Sequence, residues 1–169
     1  DKITIVCCKS FFSTCCYLYV TMFMHFCKKI NPDKEFGGTV VIILEKMKIG
    51  YIPVIHAADK KLMDERLPFV IFVHGFESLK EKNLHFAYYL AEKGFRVVLP
   101  EADYHGERQK NFPSEKLYMK FFDIVFNTID ELAIIKKYFA GKNLIDEEKI
   151  GVAGTSMGGF ITLGALTQY

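Results

Sequence analysis

Gly154, Ser156 and Gly158 stand two residues apart in the stretch GVAGTSMGGF, residues 151–160. The apolar run KIGVAG before the serine reads as a buried strand, and Met157 onward reads as a helix. A tight turn from strand into helix forces the central residue into a strained backbone conformation. Glycines two residues to either side let neighbouring backbones approach without Cβ clashes. The Ser156 hydroxyl is then held out over the sheet edge at a helix N-terminus, where a nucleophile would sit. The Met157 amide points to the same space and can donate to an oxyanion. The plainer alternative is a glycine-rich turn that merely packs a helix against a sheet. The strand before and the helix after favour the nucleophile.

A second run supports this. LPFVIFVHG ends in His74-Gly75, with Phe76 next. A loop leaving such a strand is where a second oxyanion donor is expected. Gly75 allows that loop to fold close to the serine, and the Phe76 amide is the candidate donor. His74 is read as a histidine tied into the loop by hydrogen bonds, not as the general base.

These residues need elements to position them. TVVIILEKMKIGYIPVIHAAD reads as two β-branched runs around Gly50, an antiparallel hairpin over residues 39–49 and 51–57. LPFVIFVHG and FRVVLPE are short continuous apolar runs, as in a parallel sheet buried on both faces. Between them, Leu79, Leu84, Ala87, Tyr88 and Ala91 recur at helical spacing and Gly94 supplies a stop. SEKLYMKFFDIVFNTIDELAIIKKYFAGK reads as one long amphipathic helix. Ser114 is its expected cap, Leu117, Phe121, Val125, Leu132 and Ile135 are its stripe, and Gly141 lies at its end. Strands alternating with helices predict an α/β fold with a mostly parallel sheet, an N-terminal antiparallel hairpin and helices on both faces.

Composition narrows the partners. The chain has 169 residues, half of them hydrophobic, enough for one domain with a substantial core. With 22 basic and 20 acidic residues, the charge balance gives no reason to expect nucleic acid. The glycine-rich turn lacks Gly-x-Gly-x-x-Gly and follows the third strand of the parallel series, which argues against a dinucleotide site. All the cysteines (Cys7, Cys8, Cys15, Cys16 and Cys27) lie in the first 27 residues, are odd in number and lack zinc spacing. No disulfide framework, metal or organic cofactor is expected, and the cysteine-free remainder suits a reducing cytosol.

The beginning of the chain differs from the rest. Residues 10–27 carry no charge and are bracketed by Lys9 and Lys28–Lys29. The run is long enough to be weighed as a membrane span and has the outline of a signal peptide. Ser, Thr, Cys and His25 interrupt it, and no small-residue cleavage site follows. It is an anchor or signal, a buried element of the domain, or sequence foreign to the protein. The last is preferred because composition shifts near Asn31-Pro32-Asp33. The sheet is expected to begin near Thr39, with residues 1–30 outside the core. The expected location is the cytoplasm, unless residues 1–30 are a genuine anchor or signal.

FVIFVHGFESLKEKNLHFAYYLAEKGFRVVLPEADYHGER followed by DEEKIGVAGTSMGG resembles the α/β-hydrolase superfamily. The likeness is to its esterase and dienelactone-hydrolase-like branch, bordering the prolyl-oligopeptidase type. It covers roughly residues 39–169, so residues 1–38 are set apart as an N-terminal segment. The resemblance implies that Ser156 is the nucleophile and that Phe76 and Met157 supply oxyanion amides. It also implies that Asp103 to Arg108 form the loop beside the pocket mouth, with His105 and Glu107 in a structural or substrate-contact role.

In this fold the acid and then the histidine follow the serine. MGGFITLGALTQY follows Ser156 and holds neither, while His25, His56, His74, His85 and His105 all precede it. Two explanations stay open. The chain is the N-terminal part of a longer hydrolase cut after the turn, which is preferred, or it is a whole protein that lacks triad chemistry or borrows an upstream histidine. The expected function is accordingly a serine carboxylesterase acting on small-molecule esters, with this chain inactive alone. The competing function is an inactive hydrolase fold serving as a binding or scaffold protein.

Overall fold

A computed structural model describes residues 4–8, 40–110 and 113–166. The strands are β1 (Thr4–Cys8), β2 (Ile42–Ile49), β3 (Ile52–Asp59), β4 (Leu67–Val73), β5 (Arg96–Pro100) and β6 (Ile145–Thr155). The helices are α1 (Leu84–Glu92), α2 (Ser114–Met119), α3 (Phe121–Gly141) and α4 (Met157–Ala165). The strands form one six-stranded sheet in the order β1-β6-β4-β5-β3-β2.

The hairpin is as expected in kind. β2 and β3 pair antiparallel from Ile42↔Asp59 to Ile49↔Ile52, a two-residue turn at Gly50-Tyr51. β3 runs antiparallel to β5, while β4 is parallel to both β5 and β6. β2 lies at the sheet edge and is mostly exposed, whereas β3, β4 and β5 are buried throughout. That burial explains why their apolar runs are continuous.

The sheet separates two cores, because alternate strand residues point to opposite faces. Phe69, Ile71, Val73, Val98, Ile150 and Val152 face α3 and α4, which contribute Ile124, Leu132, Ile135, Phe139, Met157 and Ile161. Val70, Phe72, Val97, Leu99 and Ala153 face α1, which contributes Ala87, Leu90 and Ala91. Each fully buried large apolar side chain contributes about 1.5–3 kcal/mol.

Three expectations are corrected. The helix expected to run unbroken from Ser114 is two helices, parted at Lys120, whose φ is −90° and ψ 0°. Pro113, not Ser114, is the cap residue of α2, and it makes no side-chain cap bond. Proline's ring presets φ for a helix start, so the chain turns one residue early. The sheet also begins before Thr39. The β1 backbone pairs in parallel with β6, from Thr4↔Gly151 to Cys8↔Thr155, covering the outer edge that β6 would otherwise expose. The uncharged run 10–27 lies outside the described residues, and among the described residues no helix is long and apolar enough to cross a membrane.

Candidate active site

β6 delivers the chain to Ser156, and α4 carries it away. Ser156 has φ 51° and ψ −111°, a left-handed backbone value for a residue with a Cβ. Its side chain makes no cap hydrogen bond to α4, and the residue is exposed. Its carbonyl accepts from the amides of Gly159 at 2.8 Å and Phe160 at 3.3 Å, so the helix closes without using the hydroxyl. The result is a strained serine whose Oγ is left to solvent.

The flanking glycines permit that turn. A Cβ on Gly154 would lie 2.5–2.7 Å from the backbone of Gly158. A Cβ on Gly158 would overlap the Val73 carbonyl at the end of β4. No side chain fits at either position without moving backbone.

The loop after β4 lies against the serine. A Cβ on Gly75 would be 3.3 Å from the Thr155 carbonyl oxygen and 3.4 Å from Ser156 Cβ. Among the described residues, neither the Phe76 nor the Met157 amide meets a protein acceptor within hydrogen-bonding distance. Met157 is the first residue of α4, where the helix has no acceptor to offer its amide.

His74 is fully buried. Its Nδ1 donates to the Gly75 carbonyl at 2.8 Å, and the Ala102 amide donates to its Nε2 at 3.1 Å. His105 is buried as well. Its Nδ1 donates to the Asp103 carbonyl at 2.8 Å and its Nε2 accepts the Glu77 amide at 3.0 Å. Burial pushes its pKa down. His56 is packed beside Arg96, and His85 sits on α1, on the far side of the sheet from α4. His74 and His105 thus each have both ring nitrogens engaged by the surrounding loops.

Glu107 is half exposed and does not stand alone. Its Oε1 accepts from Lys80 Nζ at 2.6 Å, and the same ammonium donates to Glu101 Oε2 at 2.6 Å. Lys80 and Glu101 are each 1% exposed. Burial pushes the Glu101 carboxyl up in pKa, but contact with His74 and the ion pair with Lys80 outweigh it and hold the group at about 2. Arg108 extends the cluster by gripping both Glu131 carboxylate oxygens at 2.8 Å and donating to the Glu101 carbonyl at 3.0 Å.

The ion cluster of Lys80, Glu101, Arg108 and Glu131 was not legible in the sequence. LKEKN reads as the start of the helix that carries Leu79 and Leu84, and only the place of Glu101, directly after a buried strand, hints otherwise.

The sequence profile of the serine aminopeptidase S33 family matches residues 64–169. A candidate esterase, YitV of Bacillus subtilis (strain 168), is 51% identical over 129 residues, covering 76% of this chain and 51% of that protein. The esterase YjfP of Escherichia coli (strain K12) is 33% identical over the same span and coverage. The chain thus spans about half the length of the curated relatives it matches. Among solved structures, a ferulic acid esterase from Streptomyces cinnamoneus superposes with a TM-score of 0.59 at 14% identity, covering 77% of this chain and 54% of that one. A candidate dienelactone hydrolase from Klebsiella pneumoniae gives 0.55 at 21% identity, covering 68% and 50%. At such identities the structural likeness speaks for the fold, which is that of the α/β-hydrolases.

Proposed function

Because the chain belongs to the serine aminopeptidase S33 family of hydrolases, we propose that it carries the nucleophile half of a serine carboxylesterase. Ser156 Oγ attacks the acyl carbon of a small-molecule ester, and the alcohol leaves with the proton that the serine gives up. The Phe76 and Met157 amides hold the oxyanion, and water then hydrolyses the acyl-enzyme. Moving the proton calls for a histidine and an acid, and the chain spans about half the length of the relatives YitV and YjfP. The single observation that carries this reading is Ser156 itself, exposed at φ 51° with its hydroxyl unused by the helix it begins. The names of the relatives YitV and YjfP favour ester chemistry.

The test is the whole protein and its Ser156→Ala variant on a short-chain aryl ester, with a fluorophosphonate label located by peptide mapping. Turnover and labelling confined to the serine form support the reading. A folded, soluble whole protein without either would leave the inactive binding protein as the better account.

A further inference from the structure

One carboxylate anchors the end of the loop that holds the Phe76 amide and packs against its start. Glu101 Oε1 accepts the Lys80 backbone amide at 3.2 Å, at the end of the loop, and lies 3.2 Å from His74 Nε2, at its start, a contact that becomes a hydrogen bond only in the imidazolium. Glu101 Oε2 takes the Lys80 ammonium, and the Glu101 amide is itself fixed to the Pro53 carbonyl at 2.9 Å. Between those ends, the Gly75 carbonyl accepts from His74 Nδ1 and from the Ser78 amide at 3.2 Å. The Glu77 amide, on a residue at φ 57°, is spent on His105. Among the described residues these hydrogen bonds fall on neighbours of Phe76, whose own ring packs against His105, Tyr118 and Phe121 while its amide makes no hydrogen bond.

The chain is shaped to admit this carboxylate. Gly106 turns at φ +48°, and a Cβ there would overlap the Glu101 carboxylate. A buried pair of this kind is poor evidence for stability, since desolvation cancels much of the attraction. Its geometric value is larger. An oxyanion donor works only if it is held near 3 Å from where charge develops, and a shift of about 1 Å costs on the order of a hundredfold in rate.

We propose that Glu101, neutralised by Lys80, is a positioning residue that fixes the oxyanion loop and thereby aims the Phe76 amide. The proposal rests on the esterase reading and adds to it a residue that never touches substrate.

The experiment compares the whole protein with its Glu101→Gln and Glu101→Asp variants. The second keeps the charge but withdraws it by one methylene, and it is the variant to read if the first does not fold. Expected is a fall in kcat of about tenfold or more with KM within about twofold. Affinity for a trifluoromethyl ketone, which forms an oxyanion on the serine, falls in parallel. Glu131→Gln, which disturbs the Arg108 pair without touching His74, loses stability but keeps that kcat-to-KM ratio. A folded Glu101 variant with wild-type kcat and wild-type ketone affinity overturns the proposal.

A second readout is independent of catalysis. Amide hydrogen exchange in the 169-residue chain should quicken about tenfold at Glu77 and Ser78 in the Glu101 variants and stay unchanged in the β2–β3 hairpin. Faster exchange there supports the proposal even if the whole protein shows no Ser156-dependent turnover, which would sink the esterase reading alone. Unchanged exchange overturns it.

Discussion

Gly158, on the first turn of α4, lies directly against the carbonyl of Val73, the last residue of β4. A Cβ there would also come within 2.8 Å of the Val73 carbonyl carbon and 3.1 Å of the His74 carbonyl oxygen. The turn at Ser156 and the strand that leads into the His74–Phe76 loop are therefore in backbone contact. Gly158→Val, and to a smaller extent Gly158→Ala, should destabilise the chain by at least about 2 kcal/mol, because backbone must shift to relieve the overlap. Urea denaturation of the 169-residue chain measures this. Wild-type stability for Gly158→Val would mean that the turn does not sit against β4.

Ser156 should show no detectable turnover in the 169-residue chain. A serine hydroxyl is a weak nucleophile without a base, and loss of a triad member costs on the order of a million-fold in kcat. His74 and His105 have both ring nitrogens committed to the scaffold. Side-by-side assay of this chain and the whole protein on an aryl ester, each with and without Ser156→Ala, gives the answer. Serine-dependent turnover by the shorter chain would show that an upstream histidine serves as base.

His56 makes stability depend on pH above the carboxylate range. Burial and the adjacent Arg96 guanidinium push its pKa from 6.5 down to about 4. The unfolded chain takes up a proton below pH 6.5 that the folded chain refuses. The stability this site contributes is therefore complete above pH 6.5 and falls as pH drops from 6.5 towards 4, by up to roughly 3 kcal/mol. Urea midpoints at pH 7.5 and 4.5 should differ in the wild type and differ less in His56→Gln, where the depressed pKa of buried His105 still acts in the same direction. Equal pH dependence in the two would remove His56 as the cause.

Arg96 is completely buried yet pairs with no carboxylate among the described residues. It donates to the carbonyls of Met63 at 2.7 Å, Leu144 at 3.0 Å and Glu65 at 3.1 Å, and contacts His56 Nε2 at 2.6 Å. It ties the connection before β4 to the end of α3. Arg96→Met fills similar volume but strands these acceptors, so a loss of at least about 3 kcal/mol is expected by thermal or urea denaturation. A loss under about 1 kcal/mol would show that water replaces the guanidinium there.

The fold was legible because its signals are local. β-branched runs, helical spacing and the glycines around Ser156 each act over a few residues, and the strands β2 to β6 and helix α1 follow them. The break at Lys120 carries no such signal, since LYMKFFDI keeps its helical pattern through it. β1 was hidden because its pairing partner lies at the opposite end of the sequence. The ion cluster was hidden for a different reason. Lys80, Glu101 and Arg108 look like surface charges, and only the fold brings them together and takes them out of water. His105 was legible as unusual, but not that both its nitrogens would be spent on backbone.

The partition of the core into two layers has a consequence for combining substitutions. Phe139 and Leu90 lie on opposite faces of the sheet and belong to separate side-chain clusters. Truncations at these two positions should add within about 0.5 kcal/mol, since they share no packing partner. Phe69 and Phe139 lie in one layer with ring centroids 5.4 Å apart, so their double-mutant cycle should show a coupling of about 0.5 kcal/mol or more. The sheet then acts as an insulator: stabilising changes can be sought separately for the layer that carries α1 and for the layer beneath the serine turn, and summed.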